Sequence, residues 1–107
     1  MSQPKIEQIT RRPELLIRRL VLQPGEATHW HSDACRRFTV VVRGERLRIE
    51  FRDGDAPLDV PVHAGRVDWD EPDARVHRGV NVGATVYEEV VTFFLASPDA
   101  CPQPEPS

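Results

Sequence analysis

The chain has 107 residues, with 14 lysine and arginine residues, 17 aspartate and glutamate residues, and a formal net charge of −3 at pH 7. This length is typical of one domain, and a hydrophobic content of 39% is too high for a disordered chain. The arginines are scattered among carboxylates, so we expect no nucleic-acid partner. The sequence shows neither an apolar run of about 18 residues nor a signal-peptide core. We therefore expect no membrane association and a cytoplasmic location.

Hydrophobic and polar residues alternate along most of the chain, with the period of two that is typical of β-strands. The clearest case is the segment in which Leu47, Ile49 and Phe51 alternate with charged residues before the hairpin-type turn Asp53-Gly54. The last long run, residues 84–96, permits a helix, but its β-branched and aromatic residues favour a strand. The other strand-like segments are residues 5–10, 14–23, 27–33, 36–43, 58–62, 66–70 and 76–82.

Short strands separated by turn signals indicate an all-β sandwich or barrel. We expect residues 1–13 to form an N-terminal strand or arm, residues 14–96 the barrel, and residues 97–107, with four prolines, an irregular tail. Cys35 and Cys101 have no CxxC spacing and are too few for a disulfide framework. They are predicted to be free thiols.

The segment from Gly25 to Gly44 carries the strongest chemical signal. His29, His31 and Asp33 occupy alternate positions just before the apolar run that starts at Phe38. If this segment is extended, side chains two residues apart point to the same side. Three potential metal ligands would then share one face of a strand.

These residues resemble the first motif of the cupin superfamily, which consists of small jelly-roll β-barrels. Gly25, His31 and Gly44 match the motif, Asp33 stands at its second histidine, and Arg37 stands at its glutamate. In the second motif the matching residues are Pro72, His77 and Asn81, while Ala74 replaces a glycine and Gly65 comes one residue early. The resemblance covers residues 14–96 and implies a single-domain cupin jelly roll.

The resemblance also implies a divalent cation held by histidines and a glutamate. Because arginine cannot coordinate a metal, the sequence lacks the strict four-ligand set. One alternative is a site of His31, Asp33 and His77, suited to Fe, Mn, Ni or Zn. In a second alternative His29 completes a three-histidine site, and in a third Asp33 pairs with Arg37 without any metal.

Three further residues are candidates for ligand binding. Arg37 could hold a carboxylate or phosphate, or only neutralise Asp33. Cys35 is either a thiol beside the site or a buried inert cysteine, and Trp69 either walls the pocket or packs in the core.

The sequence thus predicts a small cupin that binds a small polar or anionic molecule, with dioxygenase, isomerase or decarboxylase chemistry at a metal. The alternative is a non-catalytic ligand-binding or regulatory cupin with a degenerate, metal-free site. The apolar run VVTFFLA near the C-terminus also predicts a homodimer.

Overall fold

The structure is a computed structural model that describes residues 3–95. Within these residues it contains nine β-strands and no helix, which confirms the all-β prediction. No helix capable of crossing a membrane is present in the described part of the chain. The strands are β1 (Lys5–Arg12), β2 (Leu15–Leu22), β3 (His31–Asp33), β4 (Arg36–Arg43), β5 (Arg46–Phe51), β6 (Leu58–Pro61), β7 (Val67–Asp70), β8 (Asp73–Asn81) and β9 (Tyr87–Phe94).

The strands form two antiparallel sheets. The five-stranded sheet has the order β1-β2-β9-β4-β7, and the four-stranded sheet has the order β3-β8-β5-β6. Side chains from both sheets line one cavity of about 640 Å³, so the sheets enclose a barrel interior rather than a solid core. The arrangement is the predicted jelly roll.

The alternation along β5 shows why this sequence forms a barrel wall. Leu47, Ile49 and Phe51 face the cavity. On the outer face Arg48 lies 3.3 Å from Asp59 of β6, and Glu50 lies 2.8 Å from Arg78 of β8. Each pair is directly opposite in the strand register, which is the geometry in which cross-strand pairs stabilise a sheet.

Two apolar clusters lie towards opposite ends of the barrel wall. One contains Leu16 and Phe93, and the other contains Leu22 and Tyr87. In the register of β2 and β9, Leu16 is opposite Phe93 and Leu22 is opposite Tyr87, so the clusters lie at opposite ends of this strand pair. The cavity-facing positions between them are free to carry polar side chains.

Several predicted elements differ in detail from the structure, and β8 begins three residues before the predicted segment 76–82. Within residues 27–33 only His31–Asp33 is a strand, because the earlier part bonds to β8 through a single bridge between Ala27 and Val80. Residues 84–96 were ambiguous, and Tyr87–Phe94 is a strand. The tail predicted for residues 97–107 lies outside the described residues.

The turn that follows β8 depends on Asn81, which is 0% exposed. Its Nδ2 donates to the backbone carbonyls of Leu22 and Thr85 at 3.0 and 2.9 Å, and its Oδ1 accepts from the backbone N–H of Gly83 at 3.0 Å. Asn81 is therefore a backbone-bonding residue. Gly44 is equally constrained, because its φ is +149° and a Cβ there would lie 2.7 Å from Cδ1 of Tyr87.

Replacing Asn81 with alanine should lower the free energy of unfolding by about 3 kcal/mol, because one buried and two partly buried backbone groups lose their partners. Urea unfolding followed by circular dichroism measures this change. Thr85→Ala keeps the carbonyl that Asn81 bonds and should cost less than about 1 kcal/mol. Equal losses for the two variants would contradict the role given to Asn81.

Candidate functional site

Two neighbouring strands bring His31, Asp33 and His77 together. His31 on β3 is directly opposite His77 on β8, and their ring centroids are 4.6 Å apart. The register shifts between His31 and Asp33, which places the Asp33 carboxylate against both rings. One donor atom from each of the three residues lies within 4.8 Å of the others.

Asp33 is a buried carboxylate surrounded by cationic and imidazole groups. It is 8% exposed, and its Oδ2 lies 2.7 Å from Nη1 of Arg37 and 2.9 Å from Nε2 of His77. Its Oδ1 lies 3.7 Å from Nε2 of His31. Although the Oδ2 distances are those of ion pairs, this atom has no well-directed hydrogen bond, and neither has Nε of Arg37.

Backbone carbonyls fix the orientation of both imidazole rings. Nδ1 of His31 lies 2.6 Å from the carbonyl oxygen of His29, and Nδ1 of His77 lies 2.9 Å from that of Arg75. Since a carbonyl only accepts, each Nδ1 carries the proton and donates it. Each neutral ring therefore directs an Nε2 lone pair towards Asp33. The lone pair and the carboxylate repel each other unless a positive charge lies between them.

In the protein alone, a proton can supply that cation. The contact with Asp33 raises the pKa of His77, against the opposing effect of burial. Burial disfavours the charged form of Asp33, but the contact with His77 and the charges of Arg37 and His31 outweigh burial and lower its pKa. His77 is thus favoured as imidazolium beside an ionised Asp33.

The same atoms fit a divalent metal ion. Two Nε2 lone pairs and one carboxylate form a donor set that suits first-row transition metals. The carbonyls behind the rings are the outer partners that orient metal-binding histidines in proteins. The buried Oδ2 of Asp33 has no well-directed hydrogen bond, so this atom is available to coordinate a cation.

The structure places the other predicted residues as follows. Arg37 lines the cavity and forms the predicted ion pair with Asp33. His29 is exposed and lies outside the group of donor atoms; only its carbonyl bonds a site residue. The structure therefore does not bring His29 into a three-histidine site.

The structure corrects the predictions made for Trp69 and Cys35. Trp69 is 56% exposed on the outer face of β7, because Asp68 and Asp70 occupy the alternate positions that face the cavity. It does not wall the pocket. Cys35 is buried in the apolar cluster of Leu16, as the second alternative for this residue predicted, but it is disulfide-bonded, so the prediction of a free thiol is wrong for Cys35. Cys101 lies outside the described residues.

Sequence reasoning missed several polar residues on the cavity wall. Glu89 and Tyr87 of β9, Arg18 of β2, and the bonded pair Arg66 and Asp68 all line the cavity. The sequence did contain a signal for Glu89, because residues two apart in a strand share one face and Glu89 therefore lies on the same face as the apolar residues Val91 and Phe93. A carboxylate on the apolar side of a strand indicates a functional or paired group.

Asp33→Asn should destabilise the metal-free protein more at pH 5.5 than at pH 8.5. A raised pKa for His77 gives stability that is present below about 6.5 and is lost as pH rises through the folded value. A lowered pKa for Asp33 gives stability that is present above about 3.9 and is lost as pH falls through the folded value. The two contributions therefore coincide between about pH 4 and 6.5.

Urea unfolding of both proteins with a chelator measures this difference. It should equal about 1.4 kcal/mol for each pH unit by which Asp33 raises the pKa of His77. The same loss at both pH values would show that Asp33 does not stabilise the imidazolium.

No protein-family model matches the sequence, and no curated protein matches it. Solved structures do. A cupin domain from Bordetella pertussis has a TM-score of 0.78 at 17% identity, and the match covers 90% of this chain and 99% of that domain. A protein with a double-stranded β-helix domain from Klebsiella pneumoniae has a TM-score of 0.70 at 17% identity, and the match covers 92% of this chain and 81% of that protein.

An oxalate oxidase in complex with the substrate analogue glycolate is also similar, with a TM-score of 0.63 at 18% identity. It covers 92% of this chain, which in turn spans 53% of that protein. The shared architecture, together with the two sequence motifs, leads to one conclusion: the chain has the fold of the cupin superfamily.

Proposed function

We propose that this protein binds a small anionic molecule in its barrel, at a divalent metal ion held by His31, Asp33 and His77. The observation that carries the proposal is the orientation of the two rings. Both Nδ1 atoms are committed to backbone carbonyls, and both Nε2 atoms converge on one buried carboxylate. A site built only to pair Asp33 with Arg37 needs neither feature.

The donor set indicates which ions and reactions are compatible. Two imidazoles and a carboxylate suit Fe(II), and also accept Mn, Ni or Zn. When bound, such an ion supplies Lewis-acid or oxygen-activating chemistry, which is compatible with dioxygenase, isomerase or decarboxylase reactions. The chain itself supplies ring orientation, the neutralising carboxylate and a cavity of about 640 Å³, a size typical of small-molecule sites.

Arg37 favours an anionic ligand. It lines the cavity on β4 and places Nη1 on Asp33, while Nε is buried without a hydrogen-bond partner. Nε of Arg37 also lies 3.7 Å from Oδ2 of Asp70. With a divalent ion bound, the two negative charges of Asp33 and Asp70 would face three positive charges, so the site would keep a net positive charge and attract an anion. The oxalate oxidase of similar fold binds glycolate, a small carboxylate.

The alternative function is capture of a ligand without metal. It is favoured by the Asp33 contacts with Arg37 and with His77, because a protonated His77 satisfies the carboxylate on its own. The cavity would then bind an organic anion through Arg37, without redox or Lewis-acid chemistry.

Metal loading distinguishes these functions. The wild type, prepared without a metal-binding tag, should take up about one Fe, Mn, Ni or Zn ion per chain, measured by mass spectrometry and calorimetry. The double variant His31→Ala/His77→Ala should take up none and keep its β-sheet circular dichroism. Asp33→Asn should weaken binding by more than about 100-fold, since even residues behind metal ligands contribute 10- to 100-fold.

The matched control is His29→Ala, which removes an adjacent imidazole that lies outside the donor group. It should bind the metal as the wild type does. Retained metal in the double variant would refute the assigned ligands. A wild type that binds none of the four ions would leave the metal-free alternative.

Homodimerisation remains a proposal, with support from the outer face of the five-stranded sheet. Trp69 contacts Phe94 and Phe38 at centroid distances of 5.4 and 6.4 Å, and Trp69 and Phe94 are 56% and 38% exposed. Within the run VVTFFLA, Phe94 faces outwards, whereas Phe93 is buried. An exposed aromatic group beside the edge strand β7 is the kind of surface that a second copy covers.

Analytical ultracentrifugation should give a mass twice that of the 12.2 kDa chain. The variant Trp69→Glu should have the mass of a single chain. Ile9→Glu places the same charge at an exposed apolar residue on β1, at the other edge of the sheet, and should leave the dimer intact. A monomeric wild type would end this proposal.

A further inference from the structure

Glu89 is a carboxyl group in the middle of the barrel wall. It lies on β9, opposite Leu20 of β2 and Val41 of β4, and it lines the cavity. Oη of Tyr87 donates a hydrogen bond of 2.5 Å to its Oε1. Both side chains come from alternate positions of one strand, so Tyr87 fixes the carboxyl of Glu89 against the cavity.

Glu89 forms no ion pair within the described part of the chain. Burial raises its pKa, and the charge of Asp33 adds to this effect, while the hydrogen bond from Tyr87 and the charges of Arg37 and Arg18 oppose it. Burial also raises the pKa of Tyr87, so its phenol keeps its proton. The two side chains thus form a hydrogen-bonded pair in which burial favours the protonated form of Glu89, the form that can donate a hydrogen bond to a ligand.

The pair lies further along the cavity wall than Arg37. Val41, opposite Glu89, is four residues beyond Arg37 on β4, a distance of about 13 Å along a strand. Between these levels, Arg18 of β2 lies opposite Val91 and Asp68 of β7 lies opposite Thr39, and all four line the cavity together with Ile49 of the facing sheet. The cavity wall between Asp33 and Glu89 therefore presents charged side chains beside apolar ones.

We propose that Glu89, held by Tyr87, is a second binding group, and that the ligand has two different ends. A carboxylate binds at the metal and Arg37, and a hydroxyl or carbonyl oxygen at the other end accepts the hydrogen bond of Glu89. This inference rests on the proposed function for the anionic end. It adds the far end of the ligand, for which neither sequence motif provides a residue.

Matched pairs of carboxylates test the proposal. Zinc-loaded protein is titrated with 4-hydroxyphenylacetate and phenylacetate, and with the propanoate analogues that are one methylene longer. The wild type should bind the hydroxylated member of at least one pair about tenfold more tightly, the value of one good hydrogen bond. Glu89→Leu should abolish the preference, whereas Glu89→Gln, which keeps a donor and an acceptor, should retain part of it.

Two further measurements separate the ways in which the proposal can fail. Glycolate is too short to reach Glu89, so absence of glycolate binding by the zinc-loaded wild type would refute the proposed function and this inference with it. Glycolate binding without a hydroxyl preference, or a preference that survives Glu89→Leu, would refute only the role of Glu89. Loss of zinc from Glu89→Gln would show that Glu89 is a metal ligand instead.

Infrared spectroscopy tests the charge of Glu89 directly. The wild type at pH 7 should show the carbonyl stretch of a protonated carboxylic acid, and Glu89→Gln should lack it. Identical spectra would mean that Glu89 is ionised and cannot donate the hydrogen bond.

Discussion

The buried carboxylate of Asp33 is the constraint on which the rest of the site depends. An isolated charge removed from water costs several kcal/mol, so the fold must surround it with compensating groups. They come from both sheets: Arg37 is on β4 of the five-stranded sheet, and His31 and His77 are on β3 and β8 of the four-stranded sheet. Asp33 therefore joins the two sheets at one place, and the requirement for positive charge is also what makes this place fit for a cation.

Much of the fold was predictable because its causes are local. Alternation along β5, the prolines that place β6 at an edge and the motif glycines each act within a few residues. The group of His31, Asp33 and His77 was predictable for a related reason. Alternate positions put two of these residues on one face, and the second motif supplied the third. The choice between Asp33 and His29 was not predictable, because it depends on a register shift between β3 and β8.

The remaining residues could not be placed without the pairing of distant strands. Trp69 faces outwards because the register of β4 and β7 turns its neighbours Asp68 and Asp70 inwards. The environment of Cys35 is set by Leu16 and Phe93, which come from opposite ends of the sequence. Glu89 belongs to no motif, and its importance appears only once the opposite residues are known to leave a cavity beside it.

The two apolar clusters at the ends of the barrel have a consequence for how such a protein can evolve. They hold the five-stranded sheet together through Leu16, Leu22, Phe93 and the ring of Tyr87, all at positions away from the middle of the cavity. Substitutions at central positions such as Thr39 or Ile49 therefore alter the shape and polarity offered to a ligand while the packing that maintains the fold is kept. A barrel organised in this way can acquire new specificities in small steps, because adaptation of the binding chamber and maintenance of the folded state draw on different residues, with Tyr87 contributing to both.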